Sequence, residues 1–556
     1  MRRAGLRAVV AGLLVCAGLS EGARPARALD AADVSREIRR LLDSGRGLVT
    51  GVVAPAERTT IVSLYGPRAA PLWTDPAGRP TADARDALAL FDGAAADGLD
   101  PAAYHAGALD SRAAALAAGR AGAAEVAAFD VGLSAGVLRY LRHLHHGRVD
   151  PRALGLRMTT PRDEHDGAAI VREALAGHRL NAAAAGLAPP LAQYRSLRLM
   201  LARYRALASD PTLTPPAASR TVHPGQPYPD LLSLQRLLVA LGDLPSGLPP
   251  AGTIYDGAIA DGVKRFQVRH GLEPDAVLGR ATQAALRVPL AWRARQIEMA
   301  LERLRWLPHL GTERLIALNV PMFRLWAWSA NPPDGAPSFG MNAIVGRARG
   351  FQTPVFVEEM RTIIFRPYWN VPASILRAEI LPALALDPGF LRKENMEIVA
   401  GPGDDAPVLA PTAEHIAELA AGRVRVRQRP GPKNALGLVK FDFPNADAVY
   451  MHATPAAALF RRARRDFSHG CVRVEHPIEL AEWVLDAPEV WPRERILAAM
   501  NATETRTVML ARPVQVILFY TTAAVMPEDG TIHFADDIYR RDAALDRALA
   551  TAAPAR

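Results

Sequence analysis

The sequence predicts a multidomain α+β protein, helical through its first half and mostly β in its last third. Three observations carry that expectation. The 556 residues are too many for a single core at roughly 150 residues per domain. Apolar residues recur at helical spacing along the early chain, as in Val34, Ile38, Leu41 and Leu42, or Leu133, Val137, Leu138 and Leu141. Later, short β-prone runs bounded by Pro, Gly and Asn take over, at 315–320, 362–365 and 514–518.

Composition narrows the class further. Hydrophobic residues make up 49% and charged residues 22%, a globular balance that excludes disorder and collagen-like structure for most of the chain. The net charge is +9, yet aromatics are only 6% and many arginines stand alone, so no nucleic-acid partner is expected.

Residues 1–28 have the layout of a secretory signal peptide. Arg2, Arg3 and Arg7 precede an uncharged run at 8–20, too short to span a membrane, and Ala26-Arg27-Ala28 supplies small residues for cleavage. Cleavage after Ala28 removes five arginines and Glu21, lowering the net charge by four to +5. Cys16 would leave with this segment. The mature chain would then hold one cysteine, Cys471, which is either a small buried hydrophobe, a bridge to another molecule or a reactive thiol.

Residues 29–220 read as Ala-rich helices punctuated by turns such as Asp75-Pro76-Ala77-Gly78. The cluster His143, His145 and His146 has only Asp150 as a close carboxylate, and it is read as a packed or solvated helix end. Residues 221–290 form a compact unit. Leu234, Leu237, Leu238 and Leu241 make one stripe with Gln235 beside it, and Ile259, Val263 and Phe266 make a second, ended by His270-Gly271 as a glycine C-cap. A basic amphipathic helix with Ile297, Leu301 and Leu304 on one face connects, over 291–311, to a mostly-β region at 312–525. An insertion at 373–430 reads as helices with charged faces, and 526–556 as a C-terminal extension. The arginines at 423, 425, 427 and 429 would share one face of a strand, by default a solvated edge; Arg461, Arg462, Arg464 and Arg465 are ambiguous between a solvated face and an anion site.

The chemically informative residues are Tyr450-Met451-His452 and Ser468-His469-Gly470-Cys471-Val472-Arg473. Only a thiolate attacks efficiently, and a nearby imidazole can take the thiol proton and return one to a leaving amine. Glycine beside the nucleophile permits a sharp turn that aims main-chain N–H groups at a developing oxyanion.

Two resemblances follow from these motifs. Residues 229–287 resemble a peptidoglycan-binding domain through Leu234-Gln235, Tyr255-Asp256, Phe266-Gln267, His270-Gly271-Leu272 and Gly279 with Thr282, with Ala276 where a glycine is usual. His452, Ser468-His469-Gly470-Cys471 and Arg473 resemble the signature of YkuD-type L,D-transpeptidases, supported by Val345-Gly346-Arg347, Gln352-Thr353-Pro354, the segment 367–372 and the segment 431–437. The order of parts looks like the large Gram-negative branch of that family: a helical scaffold domain, a small helical peptidoglycan-binding domain, and a mostly-β catalytic domain with a helical lid insertion.

The resemblance implies Cys471 as nucleophile and His452 as proton donor and acceptor, held through a backbone carbonyl. Ser468, His469 and Gly470 would shape the turn, and the Gly470 and Cys471 N–H groups would form the oxyanion hole. Arg473, Tyr450, Trp369 and Asn434 are substrate-binding candidates. Neither cofactor nor metal is implied. The implied activity is 3→3 cross-linking of peptidoglycan stem peptides from tetrapeptide donors in the periplasm, with penicillin-binding proteins or a carboxypeptidase supplying donors, and with carbapenems acylating Cys471. The rival readings are an L,D-carboxypeptidase or amidase-type hydrolase, an inactive wall-binding scaffold, a papain- or NlpC-like hydrolase, in which cysteine generally precedes histidine, and a zinc site at His452, His469 and Cys471 that lacks a fourth ligand.

Overall fold

The structure, a computed structural model, describes residues 29–44, 55–119, 121–157, 165–217, 220–307, 313–330 and 335–551. The expected signal peptide lies outside these residues. Among them, no helix is long and apolar enough to cross a membrane. The chain divides into two compact units, one of residues up to 85 with 108–135, the other of 86–107 with 136 onward.

In the first unit the helix Ala31–Ser44 buries Val34, Ile38, Leu41 and Leu42, as its spacing requires. Asp130 is fully buried there and accepts from the Tyr65 hydroxyl at 2.7 Å and the Trp73 backbone at 2.8 Å. Those bonds satisfy a carboxylate that could not otherwise leave water.

The second unit carries the remaining parts. His143 is buried and shares a hydrogen bond with the Tyr104 hydroxyl at 3.1 Å, so this part of the histidine cluster is a packed helix end. In the small helical unit Gln267 is buried, donating to Asp275 at 2.8 Å and accepting from the Ala276 backbone at 2.8 Å. Gln267 thereby pins the last loop, in which Ala276 adopts φ +60°, a left-handed conformation that favours glycine. The helix Leu290–Leu304 buries Ile297, Leu301 and Leu304, but it is not solvated on its basic side. Arg303 is buried against Asp542 at 2.5 Å, and Arg305, just beyond the helix, against Glu302 at 3.1 Å.

The β region is a nine-stranded sheet. Its strands are β1 (Leu315–Asn319), β2 (Arg324–Trp328), β3 (Phe339–Gly346), β4 (Phe356–Phe365), β5 (Val439–Asp442), β6 (Met451–His452), β7 (Asp466–Ser468), β8 (Val472–Val474) and β9 (Arg506–Phe519). The spatial order is β7-β3-β8-β6-β5-β4-β9-β1-β2, and an additional β2–β3 pairing closes the sheet into a ring. Alternate residues such as Ile316, Leu318, Ile363, Phe441 and Val516 turn into one core.

Two expectations need correction. The insertion is not purely helical: strands Trp369–Asn370, Met396–Val399, Val408–Leu409 and Arg425–Gln428 make a four-stranded sheet with its own core around Ile375, Ile398, Leu419 and Val426. Runs of two to four residues carry too little alternation to stand out. Nor is the strand Arg425–Gln428 a solvated edge, since it lies between two others, although Arg423 and Arg429 stay exposed. Arg427 is buried against Glu397 at 2.7 Å, the residue directly opposite it, and Arg429 takes the other Glu397 oxygen. The C-terminal extension after 525 packs onto the parts before it. Leu545 and Leu549 of the helix Arg541–Thr551 sit in the β-domain core, and His270 of the small unit stacks on Phe534, with ring centroids 5.7 Å apart.

Candidate active site

The fold brings the two ends of the motif together. Cys471 immediately precedes β8, which pairs in parallel with β6, so that His452 lies opposite Arg473 and Met451 opposite Val472. On its other side, β6 pairs with β5 and sets Lys440 opposite His452. The histidine therefore stands between two cationic neighbours.

His452 is buried, and its Nδ1 lies 2.6 Å from the Ala453 carbonyl oxygen. A carbonyl only accepts, so Nδ1 carries the proton and the neutral ring has its lone pair on Nε2. Burial, reinforced by Arg473, pulls the imidazole down to about 3, against the opposing pull of the Ala453 and Leu436 carbonyls. Burial also pushes the Cys471 thiol above its ordinary value; hydrogen bonding from Tyr450 and the charges of Lys440 and Arg473 offset this only in part. The resting arrangement is a neutral thiol and a neutral imidazole.

Tyr450 is half-buried between these groups. Its ring lies 5.8 Å from that of His452, and Lys440 sits 4.3 Å from its centroid. Trp369, from the insertion's first strand, hydrogen-bonds the Tyr450 side chain. Arg473 is half-buried, its Nε has no partner, and among the described residues no carboxylate pairs with it.

The turn itself is tightly braced. Gly470 has φ +115°, a conformation that L side chains rarely adopt. Its N–H donates to Ser468 Oγ at 3.1 Å, and Ser468 Oγ donates to the Cys471 carbonyl at 2.5 Å. The Gly470 N–H is thus already engaged, leaving the Cys471 N–H as the better-placed oxyanion donor of the expected pair. His469 faces away toward the insertion, with Nε2 2.7 Å from Glu379 Oε1 and 2.8 Å from Arg347 Nη2.

Asn434 does not offer its side chain to a ligand. It is buried, donates to the Pro367 and Arg429 carbonyls at 3.1 and 3.0 Å, and accepts from the Leu436 backbone at 2.8 Å. A side chain so committed is a clasp for the loop that carries the Leu436 carbonyl to His452.

Sequence reasoning missed a second brace. Thr353 Oγ1 donates to the Gly470 carbonyl at 2.7 Å and accepts from the Gly346 N–H at 2.9 Å, while the Tyr539 hydroxyl donates to the Gly346 carbonyl at 2.5 Å. Gly346 has no room for a side chain: a Cβ would lie 1.8 Å from the Phe351 carbonyl oxygen. Thr353 was visible as part of a motif; Tyr539, almost two hundred residues from Gly346, gave no signal.

Comparison with known proteins matches this architecture. Family models cover residues 59–201 as a scaffold domain, 227–286 as a "Putative peptidoglycan binding domain" and 313–514 as the YkuD "L,D-transpeptidase catalytic domain". A protein of Haemophilus influenzae described as "Putative L,D-transpeptidase" is 31% identical over 249 residues, which are 44% of this chain and 48% of that protein. The match thus spans about half the length of the relative. A crystal structure of an L,D-transpeptidase (residues 123–326) from Xylanimonas cellulosilytica is matched over 55% of this chain and 100% of that one, at 16% identity and a TM-score of 0.17. The β region is a catalytic domain of the L,D-transpeptidase class. The chain thus carries a YkuD-type L,D-transpeptidase catalytic domain, with a match to a putative peptidoglycan-binding domain ahead of it.

Proposed function

We propose that the chain is a peptidoglycan L,D-transpeptidase that forms 3→3 cross-links by acyl transfer through Cys471. The observation that carries this reading is the parallel pairing of the His452 strand with the strand that Cys471 immediately precedes, with His452 Nδ1 held against a carbonyl. In the first step His452 Nε2 takes the thiol proton as sulfur attacks the carbonyl of the third stem residue, diaminopimelate in most Gram-negative walls. The carbon–nitrogen bond to the terminal D-Ala breaks, the imidazolium returns a proton to the leaving amine, and a thioester remains. In the second step the side-chain amine of a neighbouring stem attacks the thioester, loses a proton to His452, and the thiol is regenerated. The Cys471 N–H stabilises the oxyanion in both steps.

Arg473, with an unpartnered Nε, is suited to hold a stem carboxylate, and Tyr450 and Trp369 to line the donor groove. Residues 1–28 would direct export to the periplasm. There, penicillin-binding proteins or a carboxypeptidase would supply tetrapeptide donors, and a carbapenem would acylate the same thiol.

The test is incubation of the chain with purified disaccharide-tetrapeptide, mass analysis of the products, and Cys471→Ala as control. A cross-linked dimer short of one D-Ala and absent from the variant supports the reading. Tripeptide alone moves the assignment to a carboxypeptidase, and unchanged tetrapeptide overturns the activity for the isolated chain.

A further inference from the structure

A cleft of about 580 Å³ lies away from the thiol, walled on one side by the loop after the helix Gly257–Arg269 in the peptidoglycan-binding domain and on the other by residues 460–465 of the catalytic domain. Glu475 lines it and follows β8, whereas Cys471 precedes β8; four residues of extended chain separate the two by about 13 Å.

The cleft contains a buried cation that forms no ion pair among the described residues, Glu475 and Glu273 acting on it only through space. Arg465 is 9% exposed, and its Nη atoms donate only to the carbonyls of Arg462, at 2.6 Å, and Phe323, at 3.2 Å. Its Nε has no partner, and burial pulls the guanidinium down to about 10. A desolvated charge left this way is costly unless a ligand completes it. Arg461 and Arg462 stand beside it, exposed and, among the described residues, without an ion pair, Arg462 lying 5.7 Å from the Phe467 ring centroid, whereas Arg464 is committed to Asp466 and Arg324 to Glu528.

Carboxylates are present too, and fixed. Glu273 accepts from the Ala463 N–H at 2.8 Å and Glu475 from the Asn342 N–H at 3.0 Å, with Asp529 and Asp536 on the far wall. The formal charges of the lining therefore balance, which disfavours a polyanion such as nucleic acid. Separate unpaired guanidinium groups and anchored carboxylates suit a ligand that bears both carboxylate and ammonium groups.

We propose that this cleft is a second binding site, which takes the carboxylate- and amine-bearing peptide of a wall strand other than the one at Cys471. The inference rests on the function proposed above for its choice of ligand. A strand held there would be retained beside the thiol by both domains at once, raising its effective concentration.

The test titrates disaccharide-tetrapeptide into the full chain carrying Cys471→Ala, with bound ligands counted by native mass spectrometry and affinities read by calorimetry. Two ligands are expected at saturation. Adding Arg461→Glu with Arg462→Glu should leave one, or weaken the second at least about tenfold, as should amidation of the peptide carboxylates. Both arginines are exposed and unpaired, so an unchanged melting temperature confirms that the fold is intact. One ligand throughout, or two retained after the charge reversal, overturns the site. Loss of one of two ligands on charge reversal, when the chain with Cys471 intact makes no cross-linked product, sinks the proposed function and leaves the site standing; product from the intact chain with one ligand throughout does the reverse.

Discussion

His469 Nε2 lies 2.7 Å from Glu379 Oε1, joining the residue two positions before Cys471 to a π-helical turn, Leu376–Ile380, in the insertion. Arg347 approaches the same carboxylate at 3.6 Å. π-turns inside helical segments are rare and frequent at functional sites, and here the turn presents the carboxylate to the motif. The contact is half-open to water, so its energy is modest, about 1 kcal/mol or less.

Glu379→Ala should therefore leave global stability almost unchanged while loosening the insertion. Amide hydrogen exchange in 373–386 is expected to accelerate several-fold, with the β4 and β9 amides unaffected. Equal exchange in both proteins would mean that the insertion is held by its other contacts alone.

The buried neutral His452 makes a signed prediction for acid stability. Its folded value of about 3 lies below the 6.5 of an unfolded histidine, so the unfolded chain binds the proton first. The stabilisation is complete above pH 6.5 and is lost as pH falls toward 3, on the order of 5 kcal/mol in all. Denaturant midpoints should decline over that window, and His452→Gln should flatten the decline. An identical slope in the variant would refute the assignment.

Much of the site could be read from sequence, and the reason is local. His452, Ser468, Gly470 and Cys471 fall in short segments whose turn chemistry needs those residue types, and the stripes of Val34–Leu42 and Leu234–Leu241 needed only periodicity. What escaped reading is made by distance. Asn434 is attractive as a polar residue near the motif, but its bond to the Pro367 carbonyl spans 67 residues and turns it inward. Arg427 looks like surface charge until Glu397, thirty residues earlier, is set opposite it.

Asn434→Ala would strand the Leu436 N–H and the Pro367 and Arg429 carbonyls in a buried loop. The expected cost is about 2–3 kcal/mol, lowering Tm by several degrees, with slower alkylation of Cys471 as the Leu436 carbonyl leaves His452. A variant with unaltered Tm would show that the clasp is dispensable.

Ala276 offers the opposite sign. Replacing it with glycine relieves a φ of +60°, a gain of about 1 kcal/mol partly offset by the greater freedom of glycine in the unfolded chain. Ala276→Gly should raise the melting temperature slightly in calorimetry, and a decrease would contradict the strain at that position.

The ring of strands also fixes when the site can exist. β9 lies between β4 and β1, and Gln515 pairs with Leu315, two hundred residues earlier. Until residue 519 has been delivered, β1 has no neighbour on that side, and the thiol-bearing turn, nearly fifty residues earlier in the chain, sits on an unfinished sheet. Pairings of such long range fold slowly. The complete setting of Cys471 would therefore arrive last, after Tyr539 has locked the Gly346 carbonyl, and a partly delivered chain would carry the thiol on an unassembled turn.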